Sequence, residues 1–159
     1  MDATEVAALN ALLAGQRVAA LATLHGGEPA VSMVPFAKLP DGSGFVVHVS
    51  RLATHTRDMI ENPAVALLVT APLAPGESAL ALPRASIKGR ARPCPPGSDG
   101  YQLARASYLA KLPDAQELFG FSDFSLFVIE PESVRYVAGF GRAMTVSAER
   151  MRAALGARP

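Results

Sequence analysis

The groups best equipped for chemistry lie in one stretch, "SRLATHTRDMIENP", Ser50 to Pro63. The hydroxyls of Ser50, Thr54 and Thr56, the imidazole of His55 and the guanidiniums of Arg51 and Arg57 all fall between Ser50 and Arg57. A helix opening here, with Thr54 or Thr56 as its N-cap, would present free backbone N–H groups and a partial positive charge. With Ser50, His55, Thr56 and Arg57 around it, such an end can hold a phosphate or a similar anion. The same residues also spell an ordinary capped surface helix with an exposed arginine, and the local pattern leaves both readings open.

Two further stretches could take part. In "PRASIKGRARP", strand alternation puts Arg84, Ser86 and Lys88 on one face and Ala85 and Ile87 on the other. A polar strand face with two cations meets either solvent or a ligand. In "YVAGFGRA", Gly139 and Gly141 flank Phe140. The glycines permit close backbone approach and the ring could cover a flat ligand; a strand-end bulge uses the same residues. The three histidines, His25, His48 and His55, are too scattered to spell a metal site. His25, beside two glycines, reads as a solvated turn residue, and His48, in mid-strand, as a structural one. Cys94 is the only cysteine, so an intramolecular disulfide and a cysteine-based zinc site are excluded. No Gly-x-Ser-x-Gly elbow and no P-loop is present. Asp41, Glu130 and Glu132 fall in turn-like segments and form no glycosidase pair.

The elements that must position these residues follow from periodicity. Residues 3–14 carry Val6, Leu9, Leu12 and Leu13 at helical spacing and stop at Gly15. Strands are expected over 17–24, 30–39 and 45–50, joined by the turns "HGGEP" and "PDGSG" as an antiparallel meander. The helix of the opening stretch follows and ends before Pro63. "AVALLVTA" (64–71) is a continuous apolar run, expected to be buried on both faces or to close a barrel. Another strand over 84–92, a helix over 101–112, a short turn of helix at "PDAQELFG" and two strand segments split at "EPES" complete the sheet. A terminal helix spans 147–156, capped by Ser147 and closed by Gly156. This count predicts a mainly β fold with flanking helices, an antiparallel barrel of six to seven strands in a single domain over 1–159.

Composition sets outer limits. Half of the 159 residues are hydrophobic, enough for a substantial core. A net charge of +1 argues against nucleic-acid binding driven by bulk charge. Only Lys38, Lys88 and Lys111 are lysines, so arginine carries most of the positive charge, and arginine suits bidentate recognition of phosphate or carboxylate. No run approaches the ~18 apolar residues of a membrane span, and no basic segment precedes an apolar one at the N-terminus. The expectation is a cytoplasmic protein that meets neither membrane nor nucleic acid.

Together, "FVVHVSRLATHTRDMIENPAVALLV" (45–69), "PRASIKGRA" (83–91) and "YVAGFGRA" (136–143) resemble the pyridoxamine 5'-phosphate oxidase-like, FMN-binding split-barrel superfamily. The "LATHT" and "GFGRA" wording is similar to the branch that includes bacterial haem-utilisation proteins. The resemblance implies an FMN-dependent oxidoreductase of unassigned small-molecule substrate, built as a homodimer with flavin clefts at its interface. By position, Ser50, His55, Thr56 and Arg57 would hold the flavin phosphate. Segment 32–36, through Ser32, Val34 and Pro35, would run beside the ring by backbone contacts. Arg84, Ser86 and Lys88 would approach the flavin, and Phe140 and Arg142 would lie at the segment closing the site. The oxidases' C-terminal Trp and Arg pattern is missing, and the chain has no tryptophan. The alternative ligand is haem on the same scaffold. Relatives that use it usually supply an iron-ligating histidine from a further C-terminal segment. No histidine follows His55 here, so His25, His48 or another group would have to serve. A dimer that binds no cofactor and acts as an interaction module is the third reading.

Overall fold

A computed structural model describes residues 1–156. Eight strands form one antiparallel sheet: β1 (Val18–His25), β2 (Glu28–Pro35), β3 (Ala37–Lys38), β4 (Phe45–Ser50), β5 (Ala64–Thr70), β6 (Arg84–Pro93), β7 (Phe124–Gly139) and β8 (Arg142–Ser147). Four helices accompany them: α1 (Ala3–Gly15), α2 (Thr54–Glu61), α3 (Tyr101–Lys111) and α4 (Ala148–Gly156). The strand order is β2-β1-β5-β6-β7-β4-β3, with β8 on β7. The two ends of that order, β2 and β3, are separated in the chain by Phe36 alone. The sheet must therefore curl until its edges approach, which makes it the split antiparallel barrel expected from the sequence.

Strand alternation gives the curl two cores. Leu21, Phe36, Phe45, Val47, Val49, Leu67, Ile87, Ile129 and Tyr136 fill the barrel. Leu9, Leu12 and Leu13 of α1, Met59 of α2, and Met151 and Leu155 of α4 seal it. Each such side chain contributes about 1.5–3 kcal/mol by leaving water. The opposite face of β4 and β7, with Val46, Leu126 and Val128, packs under α3 through Cys94, Ala104, Tyr108 and Leu112. His48 shares that second face.

Several details depart from the sequence reading. The β1–β2 turn is only Gly26–Gly27, both at positive φ (56° and 85°), so the strands reach His25 and Glu28. "EPES" is no turn: β7 runs unbroken from Phe124 to Gly139. Pro131, which lacks an N–H, is tolerated there because the β6–β7 register shifts between Lys88 and Gly89. Gly89 is required at that bulge, since a Cβ would lie 2.4 Å from the Glu130 carbonyl oxygen. β5 is not buried on both faces; Ala66, Leu68 and Thr70 point outward and only Val65, Leu67 and Val69 enter the core. After the Gly-Phe-Gly turn the chain forms β8, whose last residue, Ser147, also caps α4 as expected: its hydroxyl accepts from the Arg150 N–H at 3.4 Å. The N-terminal helix runs one residue further than expected, to Gly15, and Asp2 and Glu5 form a capping box at its start.

Candidate functional site

α2 packs across β1 at one end of the barrel. Its N-cap is Ala53, which makes no side-chain cap bond, so neither Thr54 nor Thr56 is the N-cap. Thr56 is instead buried, and its hydroxyl donates to the Ser50 carbonyl at 2.6 Å, closing the loop that turns β4 into α2. Ser50 is also engaged: its hydroxyl donates to Asp123 Oδ2 at 3.2 Å and accepts from the Leu52 N–H. Ser32 of β2 and His55 of α2 meet at 3.1 Å (Oγ to Nδ1). Burial lowers the His55 pKa, partly opposed by the nearby Asp58 carboxylate. Arg57 is exposed and makes no ion pair among the described residues.

The remaining predicted residues lie elsewhere. Val34 is a core side chain of β2 and Pro35 is exposed at that strand's end. Arg84, Ser86, Phe140 and Arg142 line one shallow depression of about 380 Å³ on the outer face of β6–β8, with Arg135 and Leu80. Arg84 donates to the Leu80 and Leu82 carbonyls, and Arg142 pairs with Glu5 at 3.1 Å. Lys88 is exposed on the same strand face, two residues beyond Ser86. β2 and β6 are separated in the sheet by β1 and β5, three strand spacings or about 14 Å. The chain thus holds two groups of candidate residues: one at α2 and β2, one on the outer face of β6–β8.

One buried polar cluster is not legible in the sequence. Asp58 is buried on α2 beneath the barrel end. Its Oδ2 accepts from the Thr23 hydroxyl at 2.8 Å and its Oδ1 lies 2.7 Å from His25 Nδ1. The hydrogen bond from His25 is the main reason the Asp58 pKa falls below the usual carboxylate range, with burial opposing it and Thr23 adding to it. His25 is 64% exposed in its side chain, but it is tethered and not a free turn residue. The available signal was Thr23, a polar residue on the inward phase of an apolar strand.

His48 does have a packed, buried setting. It is stacked on Phe119 at 3.9 Å and lines a cavity of about 370 Å³ under the 3-10 segment Pro113–Gly120. Burial pushes its pKa down to about 4.

Comparison with known proteins places the whole barrel. Residues 6–138 match the family described as pyridoxamine 5'-phosphate oxidase. The chain belongs to that family. Within it, the chain is 40% identical over 126 residues to a chloroplastic haem oxygenase, HOZ, of Arabidopsis thaliana, covering 79% of this chain and 36% of that protein. It is 28% identical over 131 residues to the haem oxygenase HutZ of Vibrio cholerae, covering 81% of this chain and 73% of that one. Among solved structures, a haem binding protein from Mycobacterium smegmatis superimposes with a TM-score of 0.83 at 32% identity, covering 96% of this chain and 61% of that chain. The chain therefore spans about a third of the plant relative and less than two thirds of the mycobacterial one. This member of the oxidase family carries the split barrel, and the relatives named here are haem proteins. No helix among the described residues is long and apolar enough to cross a membrane.

Proposed function

We propose that this chain is a haem-binding split barrel of the haem-utilisation kind, working as a homodimer. The observation that carries the reading is the His25–Asp58–Thr23 relay. A histidine that ligates a metal ordinarily donates its other ring N–H to a carboxylate or carbonyl, which fixes the tautomer and raises the basicity of the ligating nitrogen. His25 meets that requirement: Nδ1–H donates to a buried carboxylate at 2.7 Å, and Nε2 is left as a lone pair on an exposed edge. His48 does not, because its Nδ1 is buried with no partner at all. Arg57, on the residue before Asp58, supplies a cation for a haem carboxylate. Bound haem would supply iron and its redox chemistry; the chain's own part is to offer the nitrogen, hold its tautomer and neutralise the ligand's edge.

The outer face of β2-β1-β5 supports the dimer. Registers Val31–Ala22–Ala66 and Met33–Ala20–Leu68 run across it. Val31 is 74% and Met33 63% exposed. Apolar residues in adjacent rows of a sheet favour cover by another protein surface, and a second copy of the same face is self-complementary.

FMN is the second reading. It is favoured by the Ser32–His55 pair at the start of α2 and by the exposed Arg57 beside it, which suit a phosphate.

Titration of purified protein with haemin tests the first reading. A saturable Soret band is expected, displaced in His25→Ala and shifted in Asp58→Asn, which keeps the size but loses the negative acceptor. A Soret band unchanged by both substitutions would remove His25 as the ligand.

A further inference from the structure

The cavity above His48 has a chemistry of its own. The phase of β4 turns Phe45, Val47 and Val49 into the barrel and Val46 and His48 outward beneath α3. Aromatic side chains then build the walls. Phe119 lies parallel to the imidazole at 3.9 Å and 9°, Tyr108 meets it edge-on at 5.9 Å, and Phe124 is tilted against it at 5.3 Å. Arg105 covers Phe119, 5.0 Å from its ring centroid. Tyr101, Phe121 and Leu126 complete the lining. At about 370 Å³ the space falls within the range of small-molecule sites, about 300–1,000 Å³. Among the described residues the one charged side chain lining it is Arg51, whose Nε already donates to Ser125 Oγ at 3.2 Å.

His48 is 6% exposed and its Nδ1 has no hydrogen-bond partner. Buried polar atoms are ordinarily paired, so this one calls for an explanation. A neutral imidazole carries one N–H and one lone pair. Sealing an N–H away from every acceptor is the rarer arrangement, so the lone pair belongs on Nδ1, the ring nitrogen enclosed without a partner, and the proton on Nε2, which is not so enclosed. His48 is then a hydrogen-bond donor in an aromatic box and not a metal ligand. We propose that this cavity is a binding site for a flat, uncharged conjugated ring bearing a carbonyl oxygen, which stacks among Phe119, Phe121 and Tyr101 and accepts a hydrogen bond from His48 Nε2–H.

The proposal does not depend on haem. It is tested with two probes of one shape, 1,8-naphthalimide, which carries carbonyl oxygens, and acenaphthene, which carries none. Naphthalimide should bind saturably and shift the Nε2 proton resonance of His48 in long-range proton–nitrogen spectra, which also report the tautomer directly. His48→Phe, which keeps an aromatic ring in the stack, should weaken naphthalimide at least tenfold and leave acenaphthene unchanged. Ser122 is exposed at the cavity mouth. Ser122→Trp should block both probes with His48 intact, so the site can be tested even if His48→Phe folds poorly. No naphthalimide binding, equal binding of the two probes, an Nδ1–H tautomer, or indifference to Ser122→Trp would each overturn the proposal; the first would leave a cavity that holds water only.

Discussion

Acid should destabilise this protein through His48, and the size of the effect can be worked from its surroundings. The imidazole sits in an aromatic stack with no hydrogen bond to Nδ1, and burial lowers its pKa from 6.5 to about 4. Among the described residues no carboxylate lines the cavity to stabilise an imidazolium. As pH falls, the unfolded chain takes up the proton first, near pH 6.5, and the folded chain only near 4. The stability attributable to the neutral ring is therefore complete above pH 6.5 and declines as pH drops toward 4. Linkage gives a loss of about 2 kcal/mol at pH 5 and about 3 kcal/mol at pH 4. Urea unfolding of wild type and His48→Phe at matched pH isolates the term, because other titrating groups are common to both. Wild type should lose about 3 kcal/mol relative to the variant between pH 7.5 and pH 4. A difference that stays constant over that range would refute the argument that His48 is buried neutral and unpaired.

Gly89→Ala should cost about 1–3 kcal/mol in urea unfolding, because the new Cβ meets the Glu130 carbonyl oxygen at the β6–β7 bulge. Met33→Asp with Val31→Asp should convert dimer to monomer in light scattering at micromolar protein while leaving the far-ultraviolet spectrum intact. If FMN binds through the α2 cradle, Arg57→Ala with His55→Ala should weaken it by tenfold or more in fluorescence titration, since each removes one charge-assisted or polar contact to the phosphate. Asp58→Asn should lower the melting temperature and release His25, visible as a change in the His25 ring resonances.

The barrel was legible because its signals are local. Alternation in "RASIKGRAR" correctly put Ala85 and Ile87 inside and Arg84, Ser86 and Lys88 outside. The breaks in "EPES" were not, because Pro131 is accommodated by a register shift opposite Gly89, and a bulge depends on two strands at once. The site was half legible. The α2 stretch does bring His55 against Ser32, but Thr56 and Ser50 hold the loop together instead of facing outward. His25 looked solvated because its partner, Asp58, is 33 residues away and reaches it only when α2 folds across β1. The cavity at His48 is assembled from β4, β7 and the segment around Phe119–Phe121, and no window of sequence contains it.

The most direct test of the central claim is a parallel visible-spectrum titration of one fresh preparation with haemin and with FMN. A saturating Soret band at about one haemin per chain is expected, tighter than FMN and lost or displaced in His25→Ala. Tight FMN binding with no saturable Soret band would contradict that claim.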